Sequence, residues 1–175
     1  LQDIINIIES VAPLSYQESW DNSGLQVGDR NAEVHAALLT VDVTESVVDE
    51  AIEKHCDLII SHHPLIFRGL KQITGSTTQE RCIEKAIRHN IAIYSSHTSM
   101  DVYLHGVSGK IADKLDIINY HILCPTTDDN VGLGVIGELK TPMKSDDFIH
   151  FVQNIFDCSL RYIKPCDENI TTVAI

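Results

Sequence analysis

The chain has 175 residues, 43% of them hydrophobic and 22% charged, which is the composition of a soluble globular protein of one domain or two small ones and excludes disorder and fibrous repeats. Thirteen Lys and Arg against 25 Asp and Glu leave a formal charge of -12, a mean field that repels duplex nucleic acid and speaks against a nucleic-acid partner. No apolar run approaches the roughly 18 residues of a membrane span, no basic and apolar signal-peptide pattern is visible from Leu1 onward, and five scattered cysteines without CxxC spacing suit reduced thiols, so a membrane is excluded and a cytoplasmic location is expected.

In chain order, LQDIINIIESVAP places Ile4, Ile5, Ile8 and Val11 on one helical face, with Pro13 as a stop. AALLTVD (36–42) reads as a strand, ESVVDEAIEKH (45–55) as a helix with Glu50 and Lys54 at the favourable i,i+4 spacing, and DLIIS (57–61) as a second strand. TTQERCIEKAIRHN (77–90) is a further helix with Ile83 and Ile87 inward, IAIYSS (91–96) a third strand, and GVSGKIADKLD (106–116) a helix after it. Strands joined by helix-length connections predict a mixed, mainly parallel sheet of the α/β class with crossover helices.

The remainder is less regular. GLGVIGEL (132–139) alternates as a strand does, SDDFIHFVQNIFD (145–157) is a helix, and CSLRYIK (158–164) and TTVAI (171–175) look like two more strands. Asp128, Asp129 and Asn130 make a polar turn, which suggests an N-terminal α/β metal-binding half over 1–128 and the start of a second, pseudo-similar half over 129–175. An apolar strand is an unusual chain end, so the second half is expected to be incomplete.

The chemistry concentrates after two of the predicted strands. Ser61-His62-His63-Pro64 follows DLIIS, and in a parallel sheet ligands gather at the carboxyl ends of strands. Neighbouring residues on an extended backbone point in opposite directions, which would let His62 and His63 serve two different metal ions; the alternative is that both rings cap strand ends or meet solvent. Ser96-His97-Thr98-Ser99-Met100-Asp101 follows IAIYSS and would bring a third imidazole and a carboxylate to the same edge. Nitrogen and oxygen donors together suit zinc, iron or manganese and disfavour calcium. Asp101 alternatively caps the short turn before the helix at Gly106. Asp21 and Asn22, in the turn-rich stretch WDNSGLQVGD, stand as supporting or substrate-contacting candidates. The lone Trp20 there either closes over a pocket or lies buried beneath the turn. Asp42 either orients an imidazole or contacts substrate, or else begins the helix at Glu45. No Walker A, GxGxxG, GxSxG or HExxH pattern is present, so P-loop, Rossmann, serine-hydrolase and zincin readings lack support.

WDNSGLQVGD, LLTVDVT, DLIISHHPLIF, SSHTSMD and GLGVIGEL, in this order, resemble the NGG-interacting-factor-like dinuclear-metal-centre family, the GTP cyclohydrolase 1 type 2 homologues, from about residue 2 to the end of the chain. The resemblance implies an α/β protein that assembles as a toroidal homohexamer and holds two divalent transition-metal ions in a cleft. His62, His63 and Asp101 would then ligate them, with His97 as a supporting or occasional ligand. It implies a metal-dependent hydrolase acting on a nucleotide, or alternatively a non-enzymatic regulatory or protein-interaction factor that retains the metals. The family's remaining ligands, a His and a Glu in a GHxxxE-like pattern, have no counterpart here, since no histidine follows His150. Where the family prefers Asn then Leu before the aspartate, this chain has Ser99 and Met100, a change that leaves Asp101 in place.

Overall fold

A computed structural model describes residues 1–126, 130–163 and 169–175. Two compact units divide it, 1–100 and 101–175. The boundary expected at 128/129 lies outside the described residues.

In the first unit, β1 (Gly24–Val27), β2 (Ala37–Thr40), β3 (Leu58–Ser61) and β4 (Ala92–Ser95) form one sheet in the order β1-β4-β3-β2. The last three are parallel, as the alternation of strand and helix predicts, and β1 runs antiparallel to β4. The crossovers are α2 (Glu45–Glu53) and α3 (Thr78–Arg88). Each starts at a threonine whose hydroxyl accepts a backbone N–H of the first turn, Val47 to Thr44 at 3.3 Å and Glu80 to Thr77 at 3.2 Å. Asp42 therefore does not begin α2; Thr44 does.

Strand alternation splits the core into two layers. Ile59 and Ile93 meet Val48, Ala51, Cys82, Ile83 and Ala86 from α2 and α3. On the opposite face Leu58, Ala92 and Tyr94 pack with Ile5 of α1 (Gln2–Val11). The central strands are covered on both faces, which is why β3 and β4 read as nearly continuous apolar runs. Ile87 departs from the expected inward position and is 55% exposed, because the buried stripe of α3 runs through Cys82, Ile83 and Ala86 and rolls Ile87 to its rim. Val11 is likewise exposed.

The short α4 (Thr98–Asp101) ends on the first residue of the second unit. That unit contains α5 (Val107–Lys114), β5 (Ile117–Pro125), β6 (Gly132–Lys144), α6 (Ser145–Phe156) and β7 (Asn169–Ala174). Its sheet is antiparallel in the order β5-β6-β7, with Ile117, Ile122, Val135 and Leu139 buried among Ala112, Leu115 and the phenylalanines of α6. The strand expected over CSLRYIK does not form across its described residues 158–163. Asp157 ends α6 in a left-handed turn, and Tyr162 and Ile163 then lie exposed, with no strand paired to them among the described residues. Asp101 is the last residue of α4, and Gly106 stands at the N-cap of α5. Among the described residues no helix is long and apolar enough to cross a membrane.

Candidate metal centre

Strand direction decides which residues meet. In the parallel register Ser61 of β3 lies beside Ser95 of β4, and Thr40 of β2 beside Ser61, so the residues that follow all three strands emerge at one edge. These are Asp42, the His62–His63 pair and His97. Because β1 runs the other way, with Gly24 beside Ser95, it is the residues preceding β1 that arrive there, Asp21 to Ser23 among them. Three ring nitrogens, one each from His62, His63 and His97, lie within 4.8 Å of one another.

His62 and His63 do not diverge as an extended strand would require. The strand ends at Ser61, the chain bends over residues 62 and 63, and their ring centroids are 4.8 Å apart. The bend is held by the Ser61 hydroxyl, which donates to the carbonyl of His63 at 2.9 Å and meets the Ser95 hydroxyl at 2.8 Å. The third ring sits edge-on, with the centroid of His97 5.3 Å from that of His62 and 5.5 Å from that of His63.

Each ring spends Nδ1 on an oxygen that can only accept. His63 Nδ1 lies 2.7 Å from Asp42 Oδ1, His97 Nδ1 2.8 Å from Asp21 Oδ1, and His62 Nδ1 3.2 Å from the Ser96 carbonyl. Nδ1 must therefore carry the proton, and in the neutral ring Nε2 carries the lone pair. A carboxylate or carbonyl behind an imidazole fixes its tautomer and raises its basicity, which is how metal-binding histidines are commonly supported.

Asp21 is the most enclosed of these supports. Its side chain is wholly shielded from solvent. Oδ1 accepts the Asn22 N–H at 2.7 Å and the His97 ring N–H, while Oδ2 accepts the Ser23 hydroxyl at 2.9 Å, the Thr98 N–H at 3.1 Å and the Thr98 hydroxyl. Burial alone would raise the pKa of this carboxyl, but the donors, led by the Thr98 hydroxyl and His97, together outweigh it and bring the pKa down to about 2. It stays ionised throughout the neutral range and remains an acceptor for His97. The Asp42–His63 pair, by contrast, is open to solvent.

The family described as Duf34/NIF3 (NGG1p interacting factor 3) matches the chain over residues 1–175. The chain belongs to the Duf34/NIF3 family. A Clostridium acetobutylicum protein named GTP cyclohydrolase 1 type 2 homolog is 38% identical over 178 residues, covering 100% of this chain and 66% of that protein. A Bacillus subtilis protein of the same name is 44% identical over 128 residues, 73% of this chain and 34% of that one. The crystal structure of the Staphylococcus aureus hypothetical protein SA1388 superposes with a TM-score of 0.89 at 29% identity, over 98% of this chain and 69% of that one. The chain thus spans about two thirds of the first relative and a third of the second.

In this Duf34/NIF3 chain the candidates separate by role. His62, His63 and His97 converge, Asp42 and Asp21 stand behind two of the rings, and the Asn22 backbone N–H is one of the donors gathered on Asp21. The Asn22 amide donates to the Ile66 carbonyl at 2.6 Å, tying the turn before β1 to the loop after β3. Asp101 opens the second unit and is described with it. Sequence reading did not single out Ser23 and Thr98 as donors to Asp21, Ser61 and Ser95 under the bend, or Phe67. The one available signal was that both histidine motifs follow a strand ending in serine.

Proposed function

We propose that this chain holds divalent transition-metal ions at the histidine centre, two per protomer, and that the loaded centre hydrolyses a nucleotide. One observation carries the reading: His62, His63 and His97 converge with each Nδ1 committed to an oxygen acceptor, the tautomer in which Nε2 binds a cation. Three imidazoles with a position left for water form a donor set of catalytic zinc, and imidazole equally suits iron, while adjoining carboxylates favour manganese. The residues present therefore fit one ion. For the second we propose Asp101 together with a histidine and a glutamate of the kind the family resemblance implies, supplied from beyond residue 175. When bound, such ions lower the pKa of a coordinated water towards neutrality. The tasks of the chain's own groups are then defined. Asp21 and Asp42 hold the proton on Nδ1 of His97 and His63, the Ser96 carbonyl does so for His62, and the Ser61 hydroxyl keeps the bend that aims both neighbouring rings inward.

The nucleotide part of the proposal is supported by the name shared by the C. acetobutylicum and B. subtilis relatives, GTP cyclohydrolase 1 type 2 homolog, and GTP is the first substrate to test. We extend the reading to a homohexameric ring on the same resemblance, and to a cytosolic setting, which the unpaired thiols of Cys56, Cys82, Cys124 and Cys158 support.

The test combines isothermal titration of zinc and manganese with metal analysis and turnover of GTP and p-nitrophenyl phosphate. The chain and its His63→Ala and His97→Ala variants are compared with a longer protein reaching the full length of the relatives. Tight binding that each substitution weakens, with turnover in the long form, is expected. Metal affinity equal in all variants would overturn the centre. Tight metal binding with no turnover in the long form would leave the non-enzymatic alternative.

A further inference from the structure

Trp20 is the only tryptophan in the chain, and it is 57% exposed. Phe67, from the loop after β3, is 45% exposed and lies against it, ring centroids 5.9 Å apart and planes tilted by 56°. Both flank the histidine centre, at 6.1 Å for Trp20 and 6.5 Å for Phe67 from the centroid of the His97 ring. Two large aromatic rings exposed in contact with each other and rimmed by converging imidazoles make the kind of contiguous apolar patch that marks a ligand site.

Their exposure is built in. The two loops are tied by a closed circuit of hydrogen bonds: the Asn22 amide donates to the Ile66 carbonyl at 2.6 Å, the Ile66 N–H donates to the Gln26 side-chain carbonyl at 2.9 Å, and the Gln26 amide donates back to the Asn22 carbonyl at 2.6 Å. Behind it, the Gln79 amide donates to the Leu65 carbonyl at 2.6 Å, and Asp21 is fastened by its five donors. The chain is thus pinned beside each ring, at Asp21 and Asn22 next to Trp20 and at Leu65 and Ile66 before Phe67, and the pair forms a preformed corner that needs little ordering when a ligand arrives.

We propose that Trp20 and Phe67 form a stacking corner that seats a planar heteroaromatic ring with its polar edge towards His62, His63 and His97. Two tilted aromatic faces fit a flat ring that lies on one and meets the edge of the other. A quaternary cation is disfavoured, because the neighbouring centre is itself a cation site on the reading above. An aliphatic chain would gain nothing from the hydrogen-bonding edge that the imidazoles present. The inference extends the metal-centre reading by naming the substrate's recognised part, a nucleobase-like heterocycle, and Trp20 and Phe67 as the residues that position it.

Stacking does not need metal, so the experiment uses the chelator-treated chain and reads the fluorescence of Trp20 during titration with guanosine, with ribose and inorganic phosphate as controls. Saturable quenching by guanosine and none by ribose or phosphate is expected. Phe67→Leu, which keeps bulk but removes the ring, should weaken binding about five-fold or more at unchanged circular dichroism. Trp20→Leu, followed by saturation-transfer NMR of guanosine, should do the same. Guanosine acting no more strongly than ribose, or equal affinity in Phe67→Leu, would overturn the proposal. So would an emission that shifts on dilution of the protein and ignores guanosine, which would mean that a second copy covers the corner. Guanosine binding without zinc binding would leave this inference standing and remove the metal reading; zinc binding without guanosine binding would do the reverse.

Discussion

Replacing Asp21 by Asn changes one oxygen for an NH2 group at nearly constant shape, so its effect isolates the donors gathered round the carboxylate. Oδ1 faces the Asn22 N–H and Oδ2 faces the Thr98 N–H, and neither backbone donor can turn away as a hydroxyl can. Whichever way the amide lies, its NH2 opposes one of them. If it faces Asn22, His97 must also give up its Nδ1–H and so its Nε2 lone pair. An unsatisfied buried donor costs about 1–3 kcal/mol, and the loss of charge-assisted hydrogen bonding adds to it, so a destabilisation of about 2–4 kcal/mol is expected. The pKa leads to a similar size. The cage lowers the carboxyl from 3.8 to about 2 against the effect of burial, and at about 1.4 kcal/mol per pKa unit that is about 2 kcal/mol at neutral pH. With the folded pKa below the unfolded one, this stabilisation is complete above the unfolded value of 3.8 and is lost as pH falls towards 2. Thermal unfolding of the chelator-treated chain, followed by circular dichroism, measures both arms. At about 2–4 °C per kcal/mol for a chain of this length, Asp21→Asn should melt about 4–16 °C lower at neutral pH, and the gap should narrow as acid removes the carboxylate from the wild type. Equal melting at neutral pH, or a gap that is the same in acid, would refute the reasoning.

Three further outcomes follow from the same structure. Asp42→Ala should be nearly silent in thermal unfolding, since its pair with His63 is solvent-exposed and worth under about 1 kcal/mol, yet it should weaken zinc binding about 10- to 100-fold in calorimetric titration; unchanged zinc affinity would remove its orienting role. Gly28 sits at φ +117°, and a Cβ there would stand 2.7 Å from the Cβ and 2.9 Å from the Cα of Ala92, so Gly28→Ala should lose more than about 1 kcal/mol in urea unfolding, and a wild-type midpoint would contradict this. Tyr94 is pushed well above the ordinary phenol pKa of 10.0 first by burial, then by the charge and hydrogen bond of Glu9. Its proton is held in the folded state after the unfolded state has lost it, so stability falls as pH rises past 10. A Tyr94→Phe chain should show a flatter alkaline limb, and coincident limbs would show that the phenol is accessible.

Local pattern carried the elements whose neighbours in sequence are also their neighbours in space. The apolar runs of β3 and β4, the helix that precedes each of them and the histidine motifs at their ends are all readable within short windows, and helix-length connections make the parallel order the accessible one. Where the period breaks, the reading breaks: β5 was missed because a bulge between Ile118 and His121, with Asn119 at φ 54°, shifts its alternation. CSLRYIK failed for the converse reason, as it has the alternation of a strand but no partner across its described residues, and a strand exists only by its ladder. The centre shows the same division. The two histidine motifs are visible as letters, but the bend that turns His62 and His63 together depends on Ser61 meeting Ser95 across the sheet. The contact that orients His97 spans 76 residues and exists because β1 enters antiparallel, bringing Asp21 to the edge where parallel strands end. Which nitrogen of an imidazole bears the proton is set by the acceptor it meets, and that acceptor belongs to the packed chain, not to any window of its sequence.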